Sequence, residues 1–250
     1  MFIDTHCHLS KEYYESIDNV IEENLNAGVS KMIISGCDKE EILEAIDFID
    51  KYNNVYATIG YHPDEVGNVS DDDLLYIKKL ALNNKKIVGI GEIGLDYYHN
   101  KENRIDQINL FKKQLALAEE LSLPVVIHSR DAVKDTIDCI SSYNVKGVIH
   151  CFNGSLETAN IYIKKGFKLG IGGVITFKHC KLGDVVENIA LENIVLETDS
   201  PYLTPEPYRG KVNSSKYIPI IANKIASLHS CDVKLVEKIT TNNVFDIFNL

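Results

Sequence analysis

The chain has 250 residues, of which 45% are hydrophobic and 25% are charged, and its formal net charge at pH 7 is −10. These fractions are typical of a folded globular protein and provide a core of useful size. The negative net charge opposes stable, nonspecific binding to a polyanion, although an enzyme can still bind phosphate at a local cationic site.

The sequence shows neither a membrane-spanning segment nor a secretory signal. No apolar run is long enough to span a bilayer, and the N-terminus has no basic segment followed by an apolar one, as a secretory signal would have. The six cysteines are scattered without a Cys-x-x-Cys pair, which favours reduced thiols over a disulfide framework. We therefore expect a cytoplasmic protein without a membrane partner, and no sequence feature indicates a protein partner.

Short runs rich in Ile and Val alternate with longer amphipathic segments along the whole chain. The runs predict eight strands, at residues 2–5, 32–35, 55–59, 87–90, 125–127, 148–149, 167–171 and 194–196. Helical spacing of apolar residues predicts helices at residues 14–26, 40–49, 74–82, 105–121, 132–140, 159–163, 185–189, 218–228 and 233–248. This count predicts an α/β protein, a single (β/α)8 TIM barrel over residues 1–250 with an extra C-terminal helix. A doubly wound open sheet is the alternative.

Polar residues follow several predicted strands, at the strand ends where barrel enzymes carry their active sites. In the first strand, alternation places His6 and His8 on one face, as metal-binding imidazoles require. A lone histidine is more often a hydrogen-bonded core residue, and Glu92 can simply pair with Arg130. Buried charges are costly, however, unless they are paired or bind metal. Jointly, the strand ends provide four imidazoles and two carboxylates, a set that suits two ions sharing one carboxylate: His6, His8, Glu92, His128, His150 and Asp199.

Four nearby residues are expected to stay outside the ligand set. Asp4 and Glu197 lie one pleat deeper than their neighbours, so we expect them to support the ligands through hydrogen bonds. Cys7 and Cys151 face away by strand alternation and are expected to be small buried apolar residues, not nucleophiles.

Six motifs resemble those of one known family, in order and over nearly the whole chain. They are Asp4-Thr5-His6-Cys7-His8-Leu9, Gly60-Tyr61-His62-Pro63, Gly91-Glu92-Ile93-Gly94-Leu95-Asp96-Tyr97, His128-Ser129-Arg130-Asp131, His150-Cys151-Phe152 and Glu197-Thr198-Asp199-Ser200-Pro201-Tyr202-Leu203. These resemble the signature motifs of the TatD family of metal-dependent deoxyribonucleases, which are amidohydrolase-like TIM-barrel hydrolases. The resemblance implies that His6, His8 and Asp199 hold one ion, that His128 and His150 hold the other, and that Glu92 bridges them.

Two positions depart from the family pattern. Ser10 stands where the family often has Asp, and Arg209-Gly210 leads to Asn213-Ser214-Ser215 where the family usually has Asn-Glu-Pro. Neither position is an implied metal ligand. The departures therefore bear on substrate preference and not on the hydrolytic chemistry.

The predicted function is that of a two-metal hydrolase, a DNA phosphodiesterase that uses a metal-activated water. The resemblance implies that it trims DNA from a 3′ end. Asp199 is the expected general base, with Glu92 as the second catalytic carboxylate, and the two divalent ions are Mg²⁺, Mn²⁺ or Zn²⁺. His62, Arg130 and Arg209 are expected to bind the phosphodiester substrate. An alternative is a metal-dependent ester or amide hydrolase, such as a D-aminoacyl-tRNA deacylase. A noncatalytic metal-binding protein would require ligand substitutions, and none of the six positions is missing.

Overall fold

A computed structural model describes residues 1–250 of the chain. Eight strands form one sheet in which their spatial order follows the sequence, from β1 to β8. Their bounds are β1 Phe2–Cys7, β2 Val29–Gly36, β3 Val55–Ile59, β4 Ile87–Asp96, β5 Val125–Arg130, β6 Gly147–Ile149, β7 Phe167–Ile171 and β8 Ile194–Leu196. Neighbouring strands pair in parallel, as their nearly continuous Val and Ile runs predict.

Nine helices alternate with these strands or follow them. They are α1 Ile17–Asn26, α2 Lys39–Lys51, α3 Asp71–Asn83, α4 Arg104–Leu121, α5 Val133–Ile140, α6 Leu156–Lys164, α7 Leu182–Glu187, α8 Ile218–Leu228 and α9 Val233–Phe248. The predicted fold class, a (β/α)8 barrel with an extra C-terminal helix, is confirmed. None of the helices combines the length and the apolar character that crossing a membrane requires.

The chain divides into two compact units, residues 1–34 with 150–250 and residues 35–149. Organisation as a single domain stays a prediction, so each unit is described by itself. The first unit contains β1, β7 and β8. The Asp199 N–H, just after β8, donates to His6 O at 3.0 Å, and the Thr5 hydroxyl donates to Leu196 O at 3.0 Å. The last strand therefore lies beside the first, and Asp199 lies beside the histidines of β1.

The second unit contains β3, β4, β5 and β6. Strand β4 is longer than predicted, because it continues through the polar segment to Asp96 while pairing with β5. Gly94 permits this pairing, since a Cβ at that position would lie 1.9 Å from His128 O. Its φ of +150° is also one that side-chain-bearing residues rarely adopt. The extension carries Glu92 and Asp96 on a fully buried strand.

Side-chain caps set the helix starts. Helix α1 begins at Ile17, later than predicted, because the Ser16 side chain accepts a hydrogen bond from Asn19 N and ends the preceding loop. Helix α3 begins with a capping box between Ser70 and Asp73, which explains the acidic start seen in the sequence.

Candidate metal centre

The first unit brings three predicted ligands together. One ligand atom from each of His6, His150 and Asp199 lies within 4.8 Å of the other two. The Asp199 Oδ1 atom is 3.6 Å from His6 Nε2 and 3.8 Å from His8 Nε2. The rings of His6 and His150 are stacked at a tilt, with centroids 4.1 Å apart. Nitrogen and oxygen donors at this spacing form a set that Zn²⁺ or Mn²⁺ accepts.

Asp4 holds the first strand against the segment that carries Asp199. Its carboxylate is fully buried and accepts hydrogen bonds from the Thr198 hydroxyl at 2.6 Å and from Thr198 N at 3.1 Å. Burial raises the pKa of Asp4 to about 6, against the effect of these hydrogen bonds. The structure therefore places Asp4 behind the donor group, where the sequence predicted it.

Glu197 lies on the buried side of His150. One carboxylate oxygen accepts from Cys151 N at 2.5 Å and is 3.8 Å from His150 Nδ1. Burial raises the pKa of Glu197 to about 8. The other oxygen, Oε2, packs against Gly170, because a Cβ at that position would lie 2.0 Å from Oε2. Glu197 thus fixes the turn that carries His150, as its predicted supporting role requires.

The pKa of Asp199 shifts in the opposite direction to that of Glu197. Burial acts to raise the pKa of Asp199, but the close approach of His6 and the charges of the neighbouring histidines outweigh burial, so the pKa is lowered. An ionised carboxylate beside three imidazoles is both a metal ligand and an acceptor for a proton.

The second unit holds a second group of donors. His128 Nδ1 is 2.8 Å from Glu92 Oε1, and His62 Nε2 is 3.8 Å from the same oxygen. Ligand atoms of these three residues lie within 4.8 Å of one another. Glu92 is almost fully buried, so its charge needs the compensation that the imidazoles or a cation provide.

Asp96 is a residue of this group to which sequence reasoning gave no role. Its Oδ2 atom is 3.1 Å from His128 Nε2 and 2.8 Å from His99 Nδ1, and its Oδ1 atom accepts from Tyr98 N and His99 N. The buried Gln107 amide fixes its backbone, accepting from Asp96 N and donating to Asp96 O. The spacing of four residues from Glu92 along one strand was the signal that could have found it.

Two carboxylates determine the charge of His128. Burial alone would lower its pKa, but hydrogen bonds to Asp96 and Glu92 raise it to about 9. Hydrogen bonds from His128 and His99 lower the pKa of Asp96 against the effect of its burial. Because a ring nitrogen must be deprotonated to bind a metal ion, binding of an ion at His128 would release a proton.

Proximity groups the donors within each unit, and the assignment of each donor to an ion stays the prediction that the resemblance implies. His150 lies near His6 and Asp199. His128 lies near Glu92 and near His62, which was predicted to bind substrate.

The two predicted substrate arginines lie on aromatic rings. The Arg130 guanidinium is 4.0 Å from the centroid of Tyr98, and that of Arg209 is 4.0 Å from the centroid of Phe177. Arg209 also donates one hydrogen bond to Thr204 O at 3.3 Å. Both side chains are exposed, and each guanidinium carries five N–H donors.

Comparison with known proteins identifies the family. Residues 3–249 match the family described as TatD related DNase. The chain belongs to this family. A TatD relative, the uncharacterized metal-dependent hydrolase YabD of Bacillus subtilis, is 38% identical over 255 residues, with both chains fully covered. The TatD homologue YjjV of Escherichia coli has a crystal structure with a TM-score of 0.95 at 29% identity, covering 100% of this chain and 98% of YjjV.

A more distant TatD protein has the same fold. The TatD-family hydrolase of Entamoeba histolytica gives a TM-score of 0.87 at 25% identity, covering 99% of this chain and 97% of that one. These matches confirm the predicted family and the TIM-barrel fold. The protein is thus a metal-dependent hydrolase of the TatD family, and its clusters of histidine and carboxylate donors fit the metal that this description requires.

Proposed function

We propose that the protein is a DNA phosphodiesterase that removes nucleotides from a 3′ end and uses two divalent metal ions. The observation that carries this proposal is the presence of two donor groups, one in each unit, each containing imidazole and carboxylate ligands within 4.8 Å. The TatD family description adds DNA as the substrate class.

The donor sets fit Mg²⁺, Mn²⁺ or Zn²⁺, and availability would select among them. The resemblance assigns His6, His8 and Asp199 to one ion and His128 and His150 to the other, with Glu92 shared by both. When bound, the ions lower the pKa of a bound water and offset the negative charge on a phosphodiester.

Asp199 is the proposed general base. Its lowered pKa keeps it ionised at neutral pH, so it can accept the proton of the attacking water. His6 and His8 orient the carboxylate, because Oδ1 lies within 3.8 Å of the Nε2 atoms of both rings. Glu92 acts as the catalytic carboxylate of the other group, where it holds His128 in place at 2.8 Å.

Phosphate binding is assigned to Arg130, Arg209 and His62. The two arginines are held by the faces of Tyr98 and Phe177, which orders each planar guanidinium without using all of its donors. An ordered guanidinium binds a phosphate oxygen at a smaller entropic cost than a mobile one. These local cations explain how an acidic protein can bind an anionic substrate.

Side-by-side assays test the proposal. Purified protein with Mg²⁺ or Mn²⁺ is incubated with 3′-labelled single-stranded DNA and, separately, with a D-aminoacyl-tRNA. We expect metal-dependent release of mononucleotides from DNA. Release of the D-amino acid from the tRNA should be no faster than this. If the protein with confirmed metal occupancy hydrolyses only the aminoacyl ester, the phosphodiesterase proposal is wrong, and the enzyme attacks a carbonyl instead.

A further inference from the structure

Two exposed tyrosines extend from the donor group of the first unit. The Tyr202 ring lies edge-on to His8, with centroids 6.3 Å apart, and the Tyr13 ring lies 5.8 Å beyond Tyr202. Their hydroxyls are 2.8 Å apart and share a hydrogen bond. Tyr202 is 50% exposed and Tyr13 is 39% exposed, so much of each aromatic side chain is accessible to a ligand.

The hydrogen bond between the hydroxyls orders the pair before any ligand binds. It joins the loop after β1 to the loop after β8, and the second of these loops carries Asp199. Aromatic side chains have few rotatable bonds, and here one end of each is already fixed. The entropic cost of contacting a ligand is therefore small.

Tyr13 also lines a cleft of about 420 Å³ in the same unit. Its other walls include Tyr14, Asn19, Val212 and Lys216, which combine apolar surface with hydrogen-bonding groups. Glu15 and Glu23 also line it, and Lys216 is engaged by Glu23 at 2.7 Å, so the cleft has no excess of positive charge for a phosphate. A flat heterocycle with an apolar face and a polar edge suits this lining better than an anion does.

We propose that Tyr202, Tyr13 and the adjoining cleft form a subsite for unpaired nucleobases, which stack on the two rings while the backbone is cut nearby. This inference rests on the proposed phosphodiesterase function and specifies the form of its substrate. The two ring planes are inclined by 71°. Bases stacked on both rings cannot be parallel to each other, as neighbouring bases in a duplex are, so the subsite selects a single strand or a frayed end.

The test compares two substrates and several variants. One substrate is a fluorescein-labelled single-stranded oligodeoxynucleotide, and the other has the same phosphates but abasic residues at its three 3′-terminal positions. Hydrolysis is measured as kcat/KM, and binding as fluorescence anisotropy, for wild type, Tyr202→Leu, Tyr13→Leu and Tyr202→Phe. Tyr76→Leu is the matched control, because Tyr76 is a comparably exposed tyrosine on α3.

Base stacking on an aromatic ring predicts that wild type prefers the natural strand by about 5- to 150-fold for each base that stacks. Tyr202→Leu and Tyr13→Leu should each remove much of this preference, through KM more than kcat, while the abasic strand is cut as before. Tyr202→Phe should keep most of it, since the ring remains, and Tyr76→Leu should have no effect.

Three outcomes would overturn the inference. If the wild-type protein cuts both strands equally well, the subsite inference is wrong, but the phosphodiesterase proposal is unaffected. A preference that persists in the Tyr202→Leu and Tyr13→Leu double variant places base recognition elsewhere. Wild type that cuts neither strand with metal bound overturns the proposed function and this inference with it. Unchanged thermal unfolding of each variant ensures that a loss of preference reflects the missing ring.

Discussion

The Asp96→Asn variant tests whether Asp96, which is not a predicted metal ligand, positions the predicted ligand His128. Asp96 Oδ2 faces His128 Nε2 at 3.1 Å and His99 Nδ1 at 2.8 Å, while Oδ1 accepts two backbone N–H groups at 2.9 Å. An Asn side chain keeps the Oδ1 acceptor and therefore the local backbone. Its NH₂ group cannot accept an N–H from either imidazole, so the contacts with His128 and His99 are lost while the backbone contacts remain.

The expected magnitude follows from the lost contact with His128. Carboxylates that orient a metal-binding histidine contribute about 10- to 100-fold in metal affinity, or roughly 1.4–2.7 kcal/mol. We expect Asp96→Asn to weaken binding of one equivalent of Zn²⁺ or Co²⁺ by this factor. The equivalent bound by the first unit should change little, because its donors lie on other strands.

Isothermal titration of the chelator-stripped protein measures both equivalents. Asp71→Asn is the matched control, since Asp71 has a side chain 81% exposed and pairs with Lys113 at 2.7 Å on the surface. Exposed pairs contribute only about 0–1 kcal/mol to stability, and this one is remote from the donors. Metal affinities of Asp96→Asn within about twofold of wild type would refute the positioning role, because the loss expected from removing an orienting carboxylate would then be absent.

Three further variants test other parts of the account. Glu92→Ala should remove both ions or leave them weakly held, and abolish turnover while the circular dichroism of the fold is kept; near wild-type turnover would refute the bridging assignment. Gly94→Ala places a Cβ 1.9 Å from His128 O and should destabilise the protein by at least about 1–3 kcal/mol in urea unfolding, and an unchanged unfolding midpoint would contradict the close strand approach. The Asp135 carboxylate accepts hydrogen bonds from Arg104 Nε at 2.7 Å and from the Tyr97 hydroxyl at 2.6 Å. Asp135→Asn weakens these contacts and should lower the free energy of unfolding by about 1 kcal/mol at pH 7, a modest loss because Arg104 is half exposed. Hydrogen bonds from Arg104 and Tyr97 lower the pKa of Asp135, so this stabilisation is complete above the unfolded pKa of about 3.9 and is lost as pH falls through the folded value. A difference between wild type and variant that persists unchanged in acid would contradict this assignment.

Much of the fold could be predicted from local pattern. Buried parallel strands carry nearly continuous Val and Ile runs, and the helices between them carry apolar stripes, so the eight strands and nine helices were recognisable. The extent of β4 was missed, because Gly91 and Gly94 look like breakers in sequence. In the structure, Gly94 is what allows the backbone of β4 to approach that of β5.

The candidate ligands could be named from the sequence, but not every close approach between them could be. Strand alternation placed His6 and His8 on one face, and both approach Asp199. Which donor lies beside which depends on side-chain directions at turns, such as the one that Glu197 fixes below His150. The pairing of Tyr13 with Tyr202 depends on a contact between distant segments, which no local pattern records.

We propose that this chain cuts DNA with the metal ions that its donor residues hold. The most direct measurement is mononucleotide release from 3′-labelled single-stranded DNA by chelator-stripped protein, followed as Mn²⁺ is added back in known equivalents. We predict no release from the stripped protein and a rate that rises as the donor groups fill, reaching its plateau at two equivalents. Release that is equally fast without metal, or no release after both equivalents are bound, would contradict the claim.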